Sequence, residues 1–185
     1  MYKKLRLSGF IVLVMLQLAV PGYMIMQHEN VFTSGTLYKF ETEPVDPIDP
    51  FRGRYVALRI KEAVYENKAK EKFARGESVY AVIKANKDGF AVIDRLQKTP
   101  PESGDYFIAK VRWEGSGSVT LSTPFERFYM NEAQAPAAEK AYRKAIAGRS
   151  QKKCWVAVKI KNGRTIIVDL YIDSIPVREY IRKDS

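Results

Sequence analysis

Hydrophobic and polar positions divide this chain into two unlike parts. Residues 7–26, LSGFIVLVMLQLAVPGYMIM, carry no charged side chain. Twenty residues at about 1.5 Å rise each cover roughly the 30 Å hydrocarbon core of a bilayer. Backbone N–H and C=O groups find no water there, so such a segment is predicted to be a helix. Gln17 and Pro21 interrupt the run, Pro21 near its far end. Lys3, Lys4 and Arg6 precede it. Cations mark the cytoplasmic flank of a span, so the pattern predicts an N-terminus inside and everything from about Gln27 outside, periplasmic or extracellular. A cleaved signal peptide is the competing reading. It needs small residues in an A-x-A-like arrangement after the apolar core, and PGYMIMQHENVFTSG (21–35) offers none. A core helix of a soluble protein is the third reading.

Beyond residue 27 the apolar period shortens to two. GTLYKFETE (35–43) reads as a strand and runs into EPVDPIDP (43–50). The prolines of that stretch lack a donor and keep it out of any central ladder. In YVALRI (55–60), Val56, Leu58 and Ile60 share one face of a half-buried strand. Residues 61–76 show no period and are expected to form a short exposed helix or loop. SVYAVIKA (78–85) and FAVIDRL (90–96) flank Asn86-Lys87-Asp88-Gly89, a hairpin signature. DYFIAKVRW (105–113) places Phe107, Ala109, Val111 and Trp113 on one predicted face, and EGSGS (114–118) turns into VTLS (119–122).

PFERFYM (124–130) is expected to be an edge or pocket-facing strand. One helix follows, with Pro136 at its start, Gly148 past its end, and a stripe of Ala138, Ala141, Tyr142, Ala145 and Ile146. CWVAVKI (154–160) and RTIIVDLYI (164–172) flank Asn162-Gly163, the strongest short hairpin signal. Strict alternation predicts Val156, Val158, Ile166 and Val168 inside. About eight strands with one or two helices point to a mainly β (α+β) fold, an antiparallel barrel or sandwich-like sheet with packed helices, preceded by an N-terminal transmembrane helix. The division is residues 1–27, cytoplasmic start and anchor, and residues 28–185, an extracytoplasmic β-rich domain.

Composition supports strands. Eleven Tyr and nine Phe suit a pleated surface better than a helical bundle. The net charge is +10, from 31 Lys and Arg against 21 Asp and Glu. The cations are dispersed rather than gathered into a run of five or six, which argues against nucleic acid. One cysteine, Cys154, and one histidine, His28, exclude an intrachain disulfide and the Cys/His zinc spacings. No metal and no cofactor are expected.

Candidate chemistry gathers in two places. The first is Glu43, Asp46 and Asp49, followed by Arg52, Gly53, Arg54 and Tyr55. Its carboxylates could converge on a cation or substrate with an arginine as anion clamp. Alternatively, Asp46 and Asp49 pair with the arginines and turn amides of a stiff crossover. The second is Glu126, Arg127 and Tyr129, set among Phe125, Phe128 and Met130. It suits either a pocket wall or an edge strand with a surface ion pair. Both clusters mix charge with aromatics, so Arg52 and Tyr55 are expected to meet Glu126–Tyr129, with Glu126 as a carboxylate for Arg52. Nucleophilic catalysis has little to draw on. A Ser-His-Asp triad would need His28, at the end of the anchor. Cys154 opens a strand as a packing residue would.

The segment EPVDPIDPFRGRYVALRI (43–60) resembles the signature of the GDYXXLXY family. Gly53, Tyr55 and Leu58 match the named positions, after a lead-in of Pro44, Asp46, Pro47, Asp49, Pro50, Phe51 and Arg52. Arg54 stands where the name has Asp, and Ile60 where it has Tyr. ERFYMNE (126–132), the helix after it and the terminal hairpin are similar to family features too. The resemblance implies an N-terminal hydrophobic segment, a β-rich domain, and a multi-span membrane protein as partner, because members are often encoded beside one. It supplies no reaction. The favoured reading is therefore a non-catalytic partner of an integral membrane protein. The alternatives are a signal-peptidase-like or other hydrolase, for which Ser34 lies near the anchor, and a ligand- or lipid-binding module.

Overall fold

The computed structural model describes residues 2–43, 55–67, 71–147 and 152–183. The apolar run lies in one long helix, α1 (Tyr2–Ser34), with Pro21 inside it. Of this helix, Gly9–Ser34 is long and apolar enough to cross a membrane. Its most apolar 18 residues have mean hydropathy 2.0, and none of them is buried against the rest of the chain. The helix continues beyond Met26 to Ser34, so its last two turns belong to the folded domain.

The strands follow in order: β1 (Thr36–Glu43), β2 (Tyr55–Ala57), β3 (Arg59–Ile60), β4 (Val64–Glu66), β5 (Ser78–Ala85), β6 (Ala91–Gln97), β7 (Tyr106–Gly115), β8 (Ser118–Ser122) and β9 (Arg127–Tyr129). After α2 (Ala135–Ala147) come β10 (Cys154–Lys161), β11 (Arg164–Ile172), β12 (Ile175–Pro176) and α3 (Val177–Lys183). One sheet is ordered β12-β11-β10-β1-β3, a second β4-β8-β7-β5-β6, and β2 pairs with β9 as a separate ribbon. Together they make a nearly closed, barrel-like sheet. A parallel bridge from Phe107 to Gly163 ties the second sheet to the β10–β11 turn.

Both predicted hairpins form. β5 pairs antiparallel with β6, and β10 with β11. Gly89 and Gly163 take positive φ in their turns, the conformation that only glycine adopts freely. Inside the barrel, Phe40, Phe107 and Phe125 meet at centroid distances of 4.7–5.9 Å, two of the three pairs edge-on. Such edge-to-face packing adds to the burial of the rings. It also joins β1 of one sheet to β7 of the other. α2 closes one side with the predicted stripe. Ala138, Ala141, Tyr142 and Ala145 are buried and Ile146 packs against the core. Its small residues let the helix sit low on the sheet.

The structure corrects the sequence reading where pairing breaks strict alternation. In β10–β11 the partner of Ala157 is Asp169 and that of Val158 is Ile167, so Val168 is an extra residue in β11. A bulge of this kind reverses which side chains face in. Val156 and Val158 are buried as expected, but Ile167, not Ile166 or Val168, packs against the core. A second bulge pairs Val111 with Leu121 but Trp113 with Thr120. Phe107, Ala109 and Val111 stay inside, while Trp113 turns out and is half exposed, at 52%. Residues 61–76, expected as helix or loop, contain a 3-10 turn (Lys61–Ala63) and then β4, which pairs with β8. The short helix α3, which periodicity missed, buries Val177 and Ile181.

A partner-switching strand and its cleft

The sequence YVALRI forms two short strands rather than one. β2 pairs with β9, in the register Tyr55 with Tyr129 and Ala57 with Arg127. At Leu58 the N–H turns to the carbonyl of Glu126, 2.9 Å away. β3 then pairs with the end of β1, Thr42 with Ile60. Val56, Leu58 and Ile60 stay buried throughout, so their common face is kept while the hydrogen-bonded partner changes. The outward residues, Tyr55, Ala57 and Arg59, are left along a cleft of about 500 Å³ that Arg112, Glu126 and Arg127 also line.

Tyr55 and Tyr129 sit across the ribbon with ring centroids 5.6 Å apart. The Arg127 guanidinium lies 5.2 Å from the centre of the Tyr55 ring, a cation–π arrangement. Glu126 is held from two sides. It accepts the Thr123 N–H at 2.9 Å and Arg112 Nη2 at 3.2 Å. The same guanidinium nitrogen reaches Ser122 Oγ at 3.5 Å. Three arginines, Arg59, Arg112 and Arg127, and two carboxylates, Glu43 and Glu126, thus border the cleft. With the Tyr55 ring they suit an anionic or hydrogen-bonding group laid against an aromatic face.

Of the sequence-predicted site residues, Tyr55, Glu126, Arg127 and Tyr129 come together here. Asp46, Asp49, Arg52 and Gly53 lie outside the described residues. Glu43 and Tyr55, which border that segment, both line the cleft. Arg112 and Arg59 were missed. Arg112 sits at the β7 bulge between Val111 and Trp113, and only cross-strand register reveals that.

Two further candidates resolve as structural. Cys154 is buried and its thiol is pushed up to about 12, chiefly by burial, so it packs as a neutral group. Ser34 has a basic neighbour that spacing could not show: Lys161 Nζ is 2.6 Å from its Oγ. The Ser34 hydroxyl, however, donates to the Asn30 carbonyl at 2.6 Å, and the same ammonium also donates to Asn30 Oδ1 at 2.8 Å. Lys159 Nζ bonds the Phe32 carbonyl. These lysines cap the C-terminal end of α1, where orphan carbonyls and the helix dipole favour cations. Among the described residues, no group of three or more His, Cys, Asp or Glu could hold a metal ion.

The model of the GDYXXLXY protein family matches residues 17–170. The chain belongs to the GDYXXLXY family. No curated protein and no solved structure matches it. The family match runs from within α1 to within β11 and so takes in the whole cleft. The GDYXXLXY signature here coincides with the partner switch. Leu58 is the buried hinge, and Tyr55 is the outward residue on the ribbon side. Ile60, at the position where the family name has Tyr, is buried in β3.

Proposed function

We propose that this GDYXXLXY protein is a single-pass anchored domain, held outside the membrane by α1, that serves as a non-catalytic partner of an integral membrane protein through the Tyr55–Arg127 cleft. The observation that carries this reading is the unburied apolar stretch of α1. Its exposed Leu, Ile, Val, Met and Phe side chains would be costly in water, at about 25 cal/mol per Å². Hydrocarbon removes that cost. The orientation follows from Lys3, Lys4 and Arg6 on the N-terminal flank. The partner reading draws on the cleft, whose arginines and Tyr55 are residue types enriched at interface hot spots.

Carbonate extraction of membranes tests the anchor: full-length protein stays in the pellet, and its recovery in the supernatant overturns the reading. Protease added to intact spheroplasts should degrade the β domain, and protection would reverse the topology. For the partner, purification in mild detergent should recover a multi-span protein in near-stoichiometric amount. Arg112→Glu combined with Arg127→Glu should release it while leaving the melting temperature within a few degrees. Retention of the partner by that variant would remove the cleft from the interface.

A further inference from the structure

A second concavity, about 430 Å³, lies between α1 and the domain. Met24, Gln27, His28 and Val31 line it from the helix. Their spacing of three, four and seven residues puts them on one face. Ile108, Pro124 and Ile166 form the facing wall, and Arg164 lines it as well. Gly163 completes it, packed so closely that a Cβ there would come within 2.7 Å of the Tyr106 ring.

Depth along α1 decides what this groove meets. It opens at Met24, inside the apolar run, and reaches Val31, past its end, a length of about 10 Å at 1.5 Å per residue. Arg164 pairs across the hairpin with Lys161, and Lys161 bonds Asn30 and Ser34. The arginine therefore stands level with the last turns of α1, just outside the apolar run. Lys159 and Lys161 are engaged on the helix end. Among the described residues no carboxylate pairs with Arg164. The groove thus runs from apolar walls at hydrocarbon depth to an open guanidinium at headgroup depth.

We infer that the groove holds a phospholipid, one acyl chain against Met24, Val31, Ile108 and Ile166, and the phosphate on Arg164. This rests on the anchor reading but not on the partner reading. Charge complementarity selects the occupant. A neighbouring transmembrane helix could cover the apolar walls but brings no phosphate to the arginine. Guanidinium and phosphate match in geometry, often through two parallel hydrogen bonds.

The test uses the full chain in nanodiscs doped with one of two photoactivatable lipids, a phosphatidylglycerol or a diacylglycerol, each with the diazirine on its acyl chain. Peptides covering 24–31 and 164–166 should label at least five-fold more from the phospholipid. Arg164→Gln, at an exposed position, should bring the two yields level without changing the melting temperature. Equal labelling by both lipids in the parent chain overturns the lipid site, as does labelling confined to residues 9–22. So does cross-linking of the groove to another protein in native membranes in place of lipid. A chain that does not enter the discs at all overturns the anchor reading, a failure visible before any label is read.

Discussion

The cleft beside β2–β9 and the groove beside α1 are built by opposite means. The cleft is bordered by long polar side chains, and its ion pair is exposed: Arg112 and Glu126 keep 57% and 29% of their side-chain surface. The groove is set by backbone. At Gly35, the link from α1 to β1, the N–H bonds the Val31 carbonyl at 2.9 Å. A Cβ there would fall 2.5 Å from that same oxygen and 3.2 Å from the Ile160 carbonyl. A surface of flexible side chains can change its chemistry at little cost in stability. A junction of touching backbones transmits any change to the whole helix. The chemistry of the cleft is therefore free to vary, while the angle at which α1 leaves the domain is not.

Substitutions can break or sharpen that contrast. The largest effect is expected in the frame that both regions share. Val158 is fully buried in β10, and Val158→Asp would place an unpaired charge there. A loss of more than about 3 kcal/mol is expected, read as a collapse of the denaturant midpoint. A midpoint close to the parent's would mean that the strand is not in the core.

Gly35→Val comes next. Its side chain has backbone rather than flexible atoms to push against, so about 2 kcal/mol is expected. Proteolysis near residues 34–36 should rise as α1 loosens. An unchanged midpoint together with unchanged proteolysis would show that the junction is not tight.

Tyr38 links the two sheets through its O–H, which donates to Asp105 Oδ2 at 2.8 Å. Tyr38→Phe should cost about 1–2 kcal/mol at neutral pH. Burial, with that hydrogen bond second, pushes the Tyr38 phenol from 10.0 up to about 12. Because the folded value is the higher one, the stabilisation is complete below pH 10 and fades as pH rises toward and through 12. The parent should therefore lose its advantage over Tyr38→Phe across that window. A constant difference up to pH 12 would refute the assignment.

The smallest effect is expected at the cleft. A double-mutant cycle of Arg112→Ala and Glu126→Ala should give a coupling of about 1 kcal/mol or less, shrinking in salt. Glu126→Ala alone should cost more than Arg112→Ala, because it also strips the Thr123 N–H of its acceptor. A coupling above about 2 kcal/mol would mean that the pair is effectively buried, and the contrast between the two regions would fail.

Much of this architecture was legible as a pattern. The apolar helix, both hairpins and the alanine stripe of α2 each follow from periodicity or from turn residues that act within a few positions. The same holds for the common inward face of Val56, Leu58 and Ile60. The site was only partly legible. Tyr55, Glu126, Arg127 and Tyr129 could be named from two local clusters that mix charge with aromatics. Arg112 and Arg59, which line the same cleft, could not, because nothing near them in the chain signals which strand they will face.

The sequence by itself thus determined where chain direction reverses and which face of each element is apolar, since both depend on local sterics and local burial. Tertiary structure alone decided the rest. One extra residue, Val168, reversed the inward face of β11, and the bulge at Arg112 carried Trp113 to the surface. Leu58 exchanged one strand partner for another without leaving the core. Lys161 came to Ser34 across a separation of 127 residues. Each depends on cross-strand register, and register is settled by the packing of the whole barrel, because a slip of one residue costs nothing locally and exposes an entire face.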